Sequence, residues 1–387
     1  MVKKNKITIQ KIETKILKGK FGDGKYFGYG DNKIISLVKI TLSNKVFGFG
    51  ESLVGIYSPK LFDYNVNYLS SYFLNKTINE SLLIIKNLQN NKFFFYQGLI
   101  KSILAAFEIA ILSNYSKLNN CPISTSIGKL LLKKKINKSK YVNVYASAGS
   151  IKSSIKDLKS DFTRAKSLNF NKIKIRLNLN TNYKKKIIFT QKFFNNFAID
   201  LIANTYKKNN NQKKLTSFLK FIQKRRILWL EEPINVEEIT NKEHLKKFKR
   251  INVSYGENFT SYYDYLSLLE KKYIKFLNID ISHCSIGDII KLILYIRKNK
   301  VKTRIILHCW GSLINLNTSI ELASIFPKEI ILVEFPITKF ELNDFFIEGV
   351  TIKNSKVKSS NYLEQIENNY DKKINYNQKE KDKFRFD

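Results

Sequence analysis

With 387 residues, 43% hydrophobic and 13% aromatic, the chain has ample material for a buried core, which excludes a wholly disordered protein. Only 5 Pro and 15 Gly exclude a fibrous or low-complexity chain, and three scattered cysteines (Cys121, Cys284, Cys309) exclude a disulfide framework or zinc finger. The formal net charge of +36, from 68 Lys and Arg against 32 Asp and Glu, would suit a nucleic-acid partner. Lys, Asn, Ile, Phe and Tyr are inflated together, however, as AT-rich codons would make them. The basic residues are dispersed, and no aromatic-plus-basic motif stands out. The reading is therefore no specific nucleic-acid partner, with a positive field that would draw a small carboxylate into a cleft.

The first residues, MVKKNKITIQ, lack the apolar run of a signal peptide. Residues 5–18 and 34–49 alternate as strands do. They flank a glycine-rich loop, 19–31, too irregular for a phosphate-binding fingerprint and better read as an aromatic lid. Helical patterns follow at about 65–90 and 95–117. The apolar stretch 98–113 carries Lys101 and Glu108, which argues against a membrane span, so the reading is a cytoplasmic protein.

From about residue 141 short β-branched runs alternate with amphipathic helices. The predicted strands are 141–147, 172–177, 198–203, 227–231, 252–257, 275–281, 304–308 and 331–335. Eight such units predict parallel βα repeats closed into a barrel. The expected organisation is an α/β chain. Residues 1–130 form an α+β capping domain, joined by a returning segment at about 337–363; residues 131–336 form the barrel; residues 364–387 form a polar, disordered tail.

Barrel active sites lie at the C-terminal ends of the strands. The second strand reads Lys172-Ile173-Lys174-Ile175-Arg176. Period two puts both lysines on one face, and two adjacent ammonium groups would lower each other's pKa and prepare Lys174 as a base. The alternative is an amphipathic strand with exposed lysines. The fourth and fifth strands end in Glu231-Glu232-Pro233 and Gly256-Glu257-Asn258. Glu231 and Glu257 would make a hard oxygen site suited to Mg2+, or else pair with the inward lysines; the metal is the favoured reading. The sixth strand delivers Asp280 and the seventh His308, so that a carboxylate on one strand would orient an imidazole on the next. His244 and His283, the other two histidines, look ordinary.

Taken in order, VFGFGES, YQGLIKSILAAFEIAIL, KIKI, WLEEP, YGENF, NIDISHCS, LHCWGS and LVEFP resemble the enolase superfamily, specifically its mandelate racemase/muconate-lactonizing branch, over about residues 5–350. The resemblance implies a capping domain on a modified (β/α)7β TIM-type barrel. It implies a Mg2+-assisted abstraction of a proton α to a carboxylate, and a homo-oligomer. It makes Lys174 one acid/base and the His308–Asp280 dyad the other. Lys172 would lie by the substrate carboxylate and Glu334 near the enediolate, and Glu231 and Glu257 would be metal ligands. One position departs from the family. Its first metal ligand is an Asp ending strand three, and the matching stretch places Ile202 there, with Asn204 as a substitute ligand. Asp200 would lie on the same face, ~6–7 Å deeper at ~3.3 Å per residue, unless a local register shift brings it up to the ligand position. The expected activity is dehydration of an acid sugar to a 2-keto-3-deoxy acid. The alternatives are a racemase or epimerase, or a paralogue weakened by Ile202.

Overall fold

The computed structural model describes residues 6–22, 32–91, 98–151, 153–202, 212–235, 239, 246–271, 273–347, 349–360 and 362–376. Most of the 19–31 loop, Asn204 and His244 lie outside the described residues.

The N-terminal part is a three-stranded antiparallel sheet of β1 (Ile9–Lys20), β2 (Asn32–Leu42) and β3 (Phe47–Glu51). The stretch 34–49, expected as one strand, breaks at a tight turn where the Lys45 N–H donates to the Leu42 carbonyl and Lys45 takes a φ of 70°. Helices Pro59–Phe73, Ile78–Gln89 and Leu99–Leu118 pack on this sheet. Thr77 and Glu80 close a reciprocal capping box on the second of these, which stops it from merging with the first. Leu99–Leu118 is long and apolar enough to cross a membrane by length and composition, but Lys101–Ser116 are almost all buried in the interior. The alternation FGFG in β3 has a steric cause. A Cβ at Gly50 would lie 1.8 Å from the Ala106 carbonyl oxygen, and one at Gly48 would lie 2.5 Å from that of Ala110, so the helix backbone rests directly on the strand.

Eight parallel strands close the barrel: β4 (Tyr141–Ala148), β5 (Lys172–Arg176), β6 (Asn196–Asp200), β7 (Leu230–Glu231), β8 (Val253–Tyr255), β9 (Ile274–Asp280), β10 (Arg304–His308) and β11 (Ile330–Pro336). Each pairs with the next, and β11 pairs back onto β4. Alternate residues fill the interior in layers. The floor is apolar: Tyr145, Ala198, Trp229, Ile306 and Leu332, with Phe276 against them. Two residues further along each strand the interior turns polar: Ser147, Asp200, Glu231, Asn278, His308 and Glu334, all buried. The site is therefore stacked directly on the packed floor.

The returning C-terminal segment touches both halves. Phe340 bridges Phe21 next to β1, whereas β12 (Ile352–Lys353) and β13 (Lys356–Lys358) form a hairpin paired antiparallel with β4. The expected disordered tail is corrected at its start. Leu363–Asp371 is a helix with Leu363, Ile366 and Tyr370 buried. Glu367 on the same helix accepts from the Phe49 N–H at 2.7 Å and the Ser113 hydroxyl at 2.6 Å, and pairs with Lys117 at 2.6 Å. Apolar residues spaced three and four apart form a stripe that polar composition hides. Residues 377–387 lie outside the described residues.

Candidate active site

A cavity of about 100 Å³ opens at the C-terminal end of the barrel, below the capping sheet. Arg176, Asp200, Glu257, Asn258, Ser150 and His308 supply its polar wall, and Leu53, Tyr57, Ile151, Ile202 and Trp310 its apolar wall.

His308 and Asp280 are direct partners in the β9–β10 register, so period two turns both inward at one height. His308 Nδ1 lies 2.7 Å from Asp280 Oδ2, while Nε2 lies 3.4 Å from Glu257 and 3.8 Å from Glu334. Asp280 also accepts from the Ser282 N–H at 2.7 Å, the Ser282 hydroxyl at 2.6 Å and the Asn315 amide at 2.8 Å. Burial works against a charged imidazole, but Glu257, Glu334 and Asp280 outweigh it and raise the His308 pKa to about 9. Burial likewise opposes the Asp280 charge, and the bond to His308 overcomes it and holds that carboxyl below its ordinary value. Such a dyad stores a proton on Nε2 and fixes the ring's orientation.

Across the barrel, Lys174 is fully buried and lines no part of the cavity. Its Nζ sits 2.6 Å from Glu231, 3.3 Å from Glu334 and 3.7 Å from Asp200. Burial favours the neutral amine, yet the three carboxylates overcome it and raise its pKa. The expected pairing with Lys172 does not occur. Lys172 Nζ bonds the Asn171 side chain, and its pKa is lowered by burial and then by Lys356, a residue of β13 at the other end of the strand. An ammonium two residues down the strand is too far from Lys174 to depress it. Glu231, also bonded by the Trp229 indole at 2.9 Å, thus pairs with an inward lysine, the alternative the sequence left open.

Glu334 accepts from the Tyr145 hydroxyl at 3.0 Å. Burial tends to raise its pKa, but Lys174, His308 and Arg176 prevail and hold it at about 2. It is a carboxylate counter-ion there, with no proton to donate to an enediolate.

One residue of the site is not among those singled out from the sequence, and another stands higher than its spacing alone suggests. Arg176, the next inward position after Lys174, reaches the cavity. Its guanidinium lies 3.5 Å from both Asp200 and Glu334 and 3.3 Å from the Gly149 carbonyl oxygen. Period two puts it on the same face as Lys172 and Lys174. Asp200 is the second. It is in register with Arg176 on β5 and with Glu231 on β7, so it stands at the height of the ligands rather than deeper. Ile202 does not take its place. The backbone turns left-handed there, φ 47°, and its N–H donates to Asp200 Oδ1 at 2.7 Å.

The donor set suits a hard cation. Asp200, Glu231, Glu232, Asp280 and Glu334 are buried and Glu257 is partly buried, and Lys174, Arg176 and His308 are basic groups that pair with members of this set. Burial and then Glu231 push Asp200 up to about 6. Burial, with Asp200 and Glu231 overcoming His308, pushes Glu257 up to about 7. Clustered carboxylates of this kind fit a divalent ion that takes oxygen ligands. Among the described residues no three ligating side chains converge closely enough to hold an ion as they stand, and Glu231 is turned onto Lys174.

Residues 198–361 match the family described as Enolase C-terminal domain-like. No curated protein matches the chain. Among similar solved structures is a member of the enolase superfamily from Agrobacterium tumefaciens, 16% identical, covering 91% of this chain and 94% of its own, with a TM-score of 0.73. The 3,6-anhydro-D-galactonate cycloisomerase from Zobellia galactanivorans is 19% identical, covering 93% and 99%, with a TM-score of 0.73. A mutant L-talarate/galactarate dehydratase liganded with Mg and L-glucarate is 14% identical, covering 93% and 89%, also at 0.73. The family match covers residues 198–361, and over the whole length the fold is similar to those of enolase-superfamily structures, in agreement with the resemblance to the mandelate racemase/muconate-lactonizing branch.

Proposed function

We propose that this protein is an enzyme that removes a proton α to a carboxylate and expels water from the neighbouring carbon, converting an acid sugar into a 2-keto-3-deoxy acid. The observation that carries the proposal is the His308–Asp280 dyad facing Asp200, Glu257 and Arg176 across one cavity. The similar dehydratase structure, liganded with Mg and an acid sugar, supports the substrate class and the cation.

Arg176 offers planar N–H donors to the incoming carboxylate, in competition with its long contacts to Asp200 and Glu334. Asp200, Glu231 and Glu257 would hold Mg2+, which would supply positive charge near the substrate carboxylate. Glu257 contributes most among the carboxylates to raising the His308 pKa, so any loss of its negative charge would favour the neutral imidazole, whose Nε2 can accept. Nε2 then takes the α-proton, and Asp280 stabilises the resulting imidazolium. The C–O bond to the β-hydroxyl breaks, Nε2 returns the proton to the departing oxygen, and the enol left behind tautomerises to the ketone.

Epimerisation would need a second proton-transfer group on the opposite face. Lys174 is the available candidate, and its Nζ is enclosed by carboxylates. The geometry therefore supports elimination over racemisation. One observation favours a second reading, a chain that binds ligand without turnover: Glu231 is held by Lys174 rather than presented to the cavity. The test is an acid-sugar panel with Mg2+, assayed for 2-keto product and for α-proton exchange with D2O. The expected result is keto product from one acid without its epimer. An epimer without keto product would establish a racemase. Calorimetry without Mg2+ binding at millimolar concentration, and no product, would establish the silent reading.

A further inference from the structure

Trp310, two residues beyond His308, is held from the capping sheet. Lys33, at the start of β2, carries its ammonium into a cage of three rings, 4.1 Å from the centroid of Trp310, 4.8 Å from Phe21 and 5.1 Å from Phe340. Its Nζ also donates to the Trp310 carbonyl oxygen. Phe21 meets Trp310 edge-on at 6.0 Å and Phe340 at 5.4 Å. The lysine is only 2% exposed. A buried ammonium is costly, and an apolar side chain would fill the same space with less penalty. Here ring faces and a carbonyl compensate the charge, and two of those contacts, the Trp310 ring and the Trp310 carbonyl, are with Trp310 itself, while Phe21 packs against it.

A second tie grips the same stretch. Glu51, at the end of β3, accepts from the Ser312 N–H at 2.8 Å to both oxygens and from the Ser312 hydroxyl at 2.6 Å. Gly311 passes so close that a Cβ there would lie 2.3 Å from Glu51 Oε1. Residues 309–312 are thus clamped between two charged residues of the capping sheet.

We propose that Lys33 is a positioning residue that fixes Trp310 as the wall of the substrate cavity, so that the capping sheet sets the cavity's shape. The word substrate rests on the reaction proposed above; the tether itself does not. The charged and titratable groups facing Lys33 are Glu51 on β3, Cys309 beside Trp310, Arg176 on β5 and Asp280 on β9. Burial is the largest influence and, despite the three acidic groups, brings the Lys33 pKa down to about 8.

The chain has two tryptophans, so Trp229→Phe leaves Trp310 as the sole indole reporter. In that background, emission followed from pH 6 to 10 should include a component near pH 8, when Lys33 loses its charge, distinct from those of Glu257 near 7 and His308 near 9. Lys33→Met should abolish the Lys33 component and raise acrylamide quenching of Trp310 at pH 7 at least about twofold, while Lys33→Arg keeps quenching low because a guanidinium also stacks on rings. Glu51→Gln should retain that component, which separates the two ties. Identical quenching and an identical component in a natively folded Lys33→Met protein would overturn the proposal. If that variant does not fold, a parent protein without that component and a Lys33→Arg protein quenched as in free solution would do the same. With a substrate in hand, Lys33→Met should raise KM more than it lowers kcat. Because emission needs no turnover, failure of the tether and failure of the proposed reaction are distinguishable.

Discussion

On the β5 side of the barrel mouth an ammonium lies under three carboxylates; on the β10 side an imidazole is bonded to one carboxylate and lies beside two more. Lys174 and His308 are both buried and both have raised pKa values, yet they are positioned for different work. The Lys174 Nζ has no surface on the cavity, and its nearest oxygen is 2.6 Å away. The His308 Nε2 faces the cavity, and its nearest carboxylate oxygen is 3.4 Å away. Raised basicity alone does not make a base. A proton moves only where the substrate can reach the lone pair, and the β5 side is closed by its own counter-ions.

The contrast can be broken by four measurements. The largest effect is expected at His308. His308→Asn should slow α-proton exchange by about 10²–10⁴-fold with little loss of fold, as the removal of a proton-transfer group does; exchange in D2O followed by NMR checks this. Second, Lys174→Met should lower the unfolding free energy by about 3–5 kcal/mol, because Glu231 and Glu334 lose a buried partner. Urea unfolding measures it, and a stable Lys174→Met protein with lost exchange would instead put the lysine in the chemistry. Third, Mg2+ should stabilise the parent protein by about 2.7 kcal/mol at a hundredfold excess over Kd. Asp200→Asn should remove most of that shift in thermal unfolding, whereas Glu108→Gln, far from the cavity in helix Leu99–Leu118, should not.

The fourth is a pH effect. His308 has its pKa raised to about 9 from an unfolded value near 6.5, so its contribution to stability is fully present below about pH 6.5 and is lost as pH rises to about 9. Asp280→Asn should lower that pKa toward the ordinary value and flatten the stability profile over the same window. With 3 His in the chain, an imidazole NMR titration resolves it.

Much of this site was legible from strand ends. Asp280 and His308 close β9 and β10, and adjacency plus period two suffices to bring them together. The β5 side was not legible in the same way. Lys172, Lys174 and Arg176 share one face, and which of them reaches the cavity depends on height along the barrel, a property of register with β4 and β6. Whether Asp200 lies deep or at the height of the ligands stayed open in the sequence, because a local alignment of Ala203-Asn204 cannot reveal that β6 pairs with Glu231 through Asp200. The helix Leu363–Asp371 was missed because its apolar residues are few and its Glu367 finds its partners, the Phe49 N–H and the Ser113 hydroxyl, far away in the chain.

Alternation of strand and helix, and acids or imidazole at strand ends, are local patterns, so the chain alone determined the barrel and most of the ring of charged groups around its mouth. The tertiary structure decided which charges neutralise one another, which one remains open to a ligand, and how Lys33 and Glu51 of the capping sheet grip the turn beyond His308. Those outcomes depend on distances between segments far apart in the chain, and ionic pairing in a low-dielectric interior changes steeply over a few ångströms.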